Sequence, residues 1–150
     1  MSQNAAGRDE RLTITEIELF HVSPPMKPGI LSVTQTQGDF DQVPKFILKV
    51  HTDAGIIGLG ETHRTAGGPD SEAAGRLRRV AAALRGRNVL DFDLRDLQLP
   101  GETDKGAFEV AFYDIIGKAI GWPMHRLLGG KVRDEVPVHY WAGKRMTMEE

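Results

Sequence analysis

Two stretches of this sequence carry residue types that can do chemistry. In Glu61-Thr62-His63-Arg64, Glu61 and His63 stand two apart and both can reach a cation from one loop. A metal site needs a third or fourth ligand, and the spacing supplies none nearby, so ordinary loop side chains remain the alternative. His63 and Arg64 can instead hold a substrate carboxylate, the arginine through its two-pronged guanidinium. The second stretch, 23–44, holds Pro24, Pro25, Pro28, Gly29, Gly38 and Pro44. A structureless loop of about twenty residues is long for a compact domain, and such loops often serve as lids; a plain surface loop is the other reading. His139 lies in an apolar run, as a strand-end ligand or as a hydrogen-bonded histidine. His21 and His51 read as strand-surface residues, and His125 as part of a turn between domains. Gly58-x-Gly60 with Gly67-Gly68 misses the dinucleotide fingerprint, and no phosphate-binding P-loop, nucleophile elbow or H-E-x-x-H motif occurs. Spacing alone assembles no catalytic centre.

The elements that must position these residues show in the apolar periodicity. Leu12 to Leu19 alternates in two halves that are out of phase, which predicts one strand with a bulge near Thr15-Glu16. Phe46, Leu48 and Val50 alternate with Lys45, Ile47, Lys49 and His51. Thr52-Asp53-Ala54-Gly55 is turn chemistry, and 56–61 resumes a strand in which Gly58 and Gly60 imply close approach by another element. A helix follows, capped by Asp70 or Ser71, with Ala73, Ala74, Leu77, Val80, Ala81 and Leu84 inward. Arg76, Arg78, Arg79 and Arg85 lie largely opposite, as a phosphate-binding strip or a solvated face. A short helix is expected within 88–99. The stretch 104–120 is a strongly apolar helix bearing Asp114 and Lys118 four apart. Gly121 can end it in a left-handed cap, and Pro123 blocks continuation. Val136 to Ala142 reads as a strand, and Thr147-Met148-Glu149-Glu150 as the capping box of a further helix. Strand then helix is how a β/α series opens, so the chain is expected to be a truncation of a longer protein.

Composition sets the outer bounds. The 150 residues are 40% apolar and 27% charged, with net charge −2 and no cysteine. Disulfides and thiolate metal sites are therefore excluded, and nothing global favours nucleic acid or an anionic membrane. No signal peptide or membrane span is expected, and a cytoplasmic location is the default.

Three motifs then resemble one family. The hairpin 52–61 resembles the T-D-x-G-x-x-G-x-G-E turn of the mandelate racemase/muconate lactonizing branch of the enolase superfamily. The segment 107–119 is similar to that branch's A-x-x-x-A-x-x-D-x-x-G-K-A helix, and 121–130 to its G-x-P-x-x-x-L-L-G-G exit. The resemblance implies an α+β capping domain, a three-stranded antiparallel meander followed by a small helical bundle, truncated at the start of a (β/α) barrel. On it, 1–11 is a flexible tail, 12–133 the cap, and 134–150 the first barrel strand and a helix N-cap. The implied chemistry is proton abstraction α to a carboxylate, assisted by Mg²⁺, in a racemase, acid-sugar dehydratase or cycloisomerase. A barrel needs ~250 residues, so its metal ligands and acid/base residues would all lie beyond Glu150, and no catalytic or metal residue is expected in this chain. The cap's loops 23–44 and 62–68 would close over the barrel mouth, with Met26, Lys27, Ile30, His63 and Arg64 as substrate contacts. The partners implied are a carboxylate or acid-sugar substrate and further copies of the chain in a homo-oligomer. A standalone interaction module derived from such a cap is the rival reading.

Overall fold

A computed structural model describes residues 12–25, 42–63, 67–100 and 105–138. It contains three strands, β1 (Ile14–Val22), β2 (Lys45–Thr52) and β3 (Ile57–Glu61), in one antiparallel sheet of order β1-β2-β3. The register of β1 on β2 slips between Ile14 and Glu16, where the two out-of-phase halves predicted a bulge. Beyond the bulge, Ile17, Leu19 and His21 share the inner face, and His21 stands opposite Phe46. Phe46, Leu48 and Val50 are buried as the alternation required.

The turn between β2 and β3 is held by its own side chains. The Thr52 hydroxyl donates to the Ile56 carbonyl (2.8 Å) and accepts from the Ile56 amide (3.1 Å), so β3 begins at Ile57 rather than Ile56. The Asp53 carboxylate accepts from the Thr13 amide, and the Asp53 amide returns a bond to the Thr13 carbonyl, both at 2.9 Å. Asp53 thereby pins the hairpin to the start of β1.

Helix α1 (Glu72–Leu84) begins at Ser71, whose Oγ accepts from the Ala74 amide at 3.2 Å. It buries Ala74, Leu77, Val80 and Leu84. Its arginines face outward: Arg76 pairs with Glu72 at 3.0 Å, and Arg78 donates to the Pro69 carbonyl at 2.6 Å. In place of one short helix, 88–99 holds two 3-10 turns, Val89–Asp91 and Leu94–Asp96. Asn88 and Asp93 cap them, and apolar residues too sparse for a helical stripe, Val89, Leu94 and Leu97, drop into the core.

Helix α2 (Lys105–Ile120) lies against the inner face of the sheet and buries Ala107, Phe108, Ala111, Phe112 and Ile115 completely. Its last residue, Ile120, is half exposed. Gly121 closes the helix at φ 70°, and the Trp122 amide reaches back to the Gly117 carbonyl at 2.9 Å, the wrapped C-terminal motif that Gly121 and Pro123 foretold. One further turn, α3 (Met124–Leu127), follows. Val136-Pro137-Val138, the start of the expected strand, has no pairing partner among the described residues, and both valines are exposed. The rest of the expected strand (His139, Tyr140, Trp141, Ala142), the capping box at 147–150 and the tail at 1–11 lie outside the described residues. No helix among the described residues is long and apolar enough to cross a membrane.

Candidate functional site

The antiparallel order brings the end of β1, the start of β2 and the end of β3 to one edge of the sheet. Both loops singled out in the sequence spring from this edge, and their roots are zipped. Ser23 Oγ donates to Gln42 Oε1 at 2.7 Å, the Val43 amide to the Pro24 carbonyl at 3.0 Å, and Pro25 bridges Gln42. The root of the second loop is tied to the same strand. The Thr62 amide donates to the Phe46 carbonyl and the Phe46 amide to Thr62 Oγ1, both at 2.9 Å. An ion pair between Lys45 and Glu61 joins the two roots on the outer face. Glu61 is thus engaged with a cation rather than set out beside His63 as a metal ligand. Among the described residues no three His, Asp or Glu gather as a metal site.

Of the five contacts expected from sequence, His63 is exposed at this edge. Met26, Lys27, Ile30 and Arg64 lie outside the described residues. His21, expected at the strand surface, is half-buried on the inner side: its Nε2 is buried without a hydrogen-bond partner, and its ring tilts on Phe46 at 5.2 Å. The signal was present: once the bulge shifts the phase, Ile17, Leu19 and His21 fall on one face.

The outer face of the sheet carries a separate charge cluster. Glu18 accepts from His51 at 2.5 Å and pairs with Lys49 at 3.2 Å. The hydrogen bond from His51, followed by that from Lys49, holds its carboxyl below the usual carboxylate range. Away from the loop edge, an open cavity of about 480 Å³ lies between β3 and the exit of α2, lined by Leu59, Val110, Tyr113, Trp122 and Met124 among others.

This arrangement of a three-stranded meander, an inward helix and two loops at one edge matches known proteins. Residues 14–129 match the family model of the mandelate racemase/muconate lactonizing enzyme N-terminal domain. The chain belongs to that family. It is 32% identical to the N-succinyl-L-Arg/Lys racemase of Bacillus cereus over 137 residues, covering 85% of this chain and 36% of that protein. It is 36% identical to a protein of Streptomyces coelicolor named probable glucarate dehydratase, covering 83% of this chain and 33% of that one. Among solved structures, an enolase from Thermobispora bispora complexed with magnesium and formate superposes with a TM-score of 0.62 at 30% identity, covering 91% of this chain and 37% of that one. The chain therefore spans about a third of the length of the curated relatives it matches.

In this mandelate racemase-type domain the motif residues turn out to be joints. Ala107 and Ala111 face Gly60 and Gly58. Asp114 Oδ2 accepts from the Leu59 amide (2.9 Å) and from Lys118 Nζ (2.6 Å), and Lys118 also donates to the Ile57 carbonyl (2.7 Å).

Proposed function

We propose that residues 12–133 are the substrate-capping domain of a Mg²⁺-dependent enzyme that abstracts a proton α to a carboxylate. The observation that carries this reading is the common edge: the roots of both loops are tied to the same sheet end. In such an enzyme the cap excludes water and touches the distal end of the acid, while the proton transfer is done elsewhere. The ion would act as a Lewis acid on the carboxylate. Among the described residues no three His, Asp or Glu gather to hold it; on this reading its ligands and the acid/base residues belong to the rest of the enzyme, and the 150 residues alone would not turn substrate over. Within the class, an acid-sugar dehydratase is preferred over a racemase or cycloisomerase, in keeping with the polar second loop. The working enzyme is a cytoplasmic homo-oligomer with no nucleic-acid partner. The rival, a standalone interaction module, would use the exposed apolar surface around Trp122 and Leu128.

The reaction class is tested by isotope exchange. The complete open reading frame that contains these residues is incubated with Mg²⁺ in D₂O and either D-glucarate or N-succinyl-L-arginine. Loss of the α-proton signal by NMR is expected with one of them, with or without net product. No exchange with either would overturn the reading.

A further inference from the structure

Helix α1 and the segment after it divide their charges by sign. Between Glu72 and Asp91 the sequence holds five arginines (Arg76, Arg78, Arg79, Arg85, Arg87) and no acid. Asp91, Asp93 and Asp96 follow, with Arg95 among them. A helix face built only for water interleaves the two signs, because opposite charges four residues apart support the helix. In α1 only Glu72 and Arg76 do so. On the sheet and on α2 the charges pair within the cap: Lys45 with Glu61, Lys49 with Glu18, Lys118 with Asp114. Among the described residues, Arg79, Arg85 and Arg87 meet no carboxylate, and Asp91 and Asp96 meet no cation. All five are exposed.

The two groups adjoin in space. The Arg87 guanidinium lies over the Phe92 ring, 5.1 Å from its centre, and Phe92 is the residue after Asp91. Leu90, half exposed, stands between the signs. Ala82, three residues from both Arg79 and Arg85, is exposed and leaves the helix face flat between them. Cations gathered on one face repel one another, and so do anions, so each half gains from a partner of opposite potential. A polyanion or an anionic membrane satisfies the arginines but meets the aspartates as well. A surface with a cationic half beside an anionic half is its own complement: a two-fold axis between the halves lays each on the opposite half of a second copy.

We propose that the outer face of α1 and the segment 89–96 form a two-fold interface between copies of this chain. Arg79 and Arg85 of one copy face Asp91 and Asp96 of the other, about an apolar centre at Leu90. This rests on the homo-oligomer of the proposed function and assigns one of its contacts to a surface away from the loop edge.

The test measures the mass of the complete open reading frame by light scattering, for the parent and for two double variants. One carries Arg79→Glu and Arg85→Glu, the other Asp91→Lys and Asp96→Lys. The first has two anionic halves and the second two cationic halves, so each repels its own copies. Each alone should fall to half the parent mass or less. An equimolar mixture should return to the parent mass, since the halves of one variant complement those of the other. That recovery also excludes misfolding as the cause of dissociation. Parent mass in either variant alone, or no recovery in the mixture, overturns the proposal and leaves the proposed reaction intact. A monomeric parent overturns both the homo-oligomer and this interface. A monomeric parent retained on heparin through Arg79 and Arg85 marks a polyanion surface and overturns it too. Failure of α-proton exchange by an intact parent assembly overturns the proposed reaction alone.

Discussion

A Cβ placed on Gly60 would lie 1.9 Å from the Ala107 carbonyl oxygen, and one on Gly58 2.2 Å from that of Ala111. Both contacts are with helix backbone, which cannot swing aside. Gly60→Ala is therefore expected to push α2 off the sheet and cost about 3 kcal/mol or more, read as a fall in the urea midpoint. Gly75 is the control. It lies in α1 with only the tip of Arg79 near it, at 3.6 Å, so Gly75→Ala should stabilise by roughly 0.5–1 kcal/mol through helix propensity. The two glycines of β3 were legible because a missing side chain inside a strand has a packing meaning. The second role of Asp114 was not. Its pairing with Lys118 follows from four-residue spacing, but its bond to the Leu59 amide joins residues 55 apart, which no local pattern encodes.

At the scale of elements, α2 does two jobs on β3. Its small residues admit the glycines, and Asp114 with Lys118 occupies the outer backbone groups of an edge strand that would otherwise be open to pairing. Asp114→Ala should cost about 1 kcal/mol, discounted for the partial exposure of the pair, and should raise hydrogen exchange at the Leu59 amide. The outer face of the sheet gives a pH signature. The Glu18 carboxyl is lowered below its reference value of 4.5, so its contribution is present above that value and is lost as pH falls through the lowered folded value. Acid unfolding followed from pH 6 downward should lose stability more gradually in Glu18→Gln than in the parent protein. The three strands and both long helices were legible from alternation and helical stripes. The 3-10 turns in 88–99 were not, since they are set by the side-chain caps of Asn88 and Asp93 and by burial of isolated apolar residues. His21 was misassigned because one bulged residue reverses which face every later side chain takes.

The molecule as a whole is built around a sheet whose far edge is closed by the Asp53 turn and whose near edge carries the two loops. Its described residues supply packing joints, caps and zipped loop roots rather than a cluster of acids and bases. At the other end, Trp122, Met124 and Leu128 leave apolar surface exposed beyond α2, next to a chain that spans about a third of its curated relatives. On the proposed reading that surface packs on the rest of the enzyme. The most direct measurement compares two purified proteins, the 150-residue chain and its complete open reading frame, with D-glucarate and N-succinyl-L-arginine in Mg²⁺, before and after EDTA. The account predicts EDTA-sensitive turnover of one acid by the complete protein and none by the 150-residue chain. Turnover by the 150-residue chain itself would contradict it.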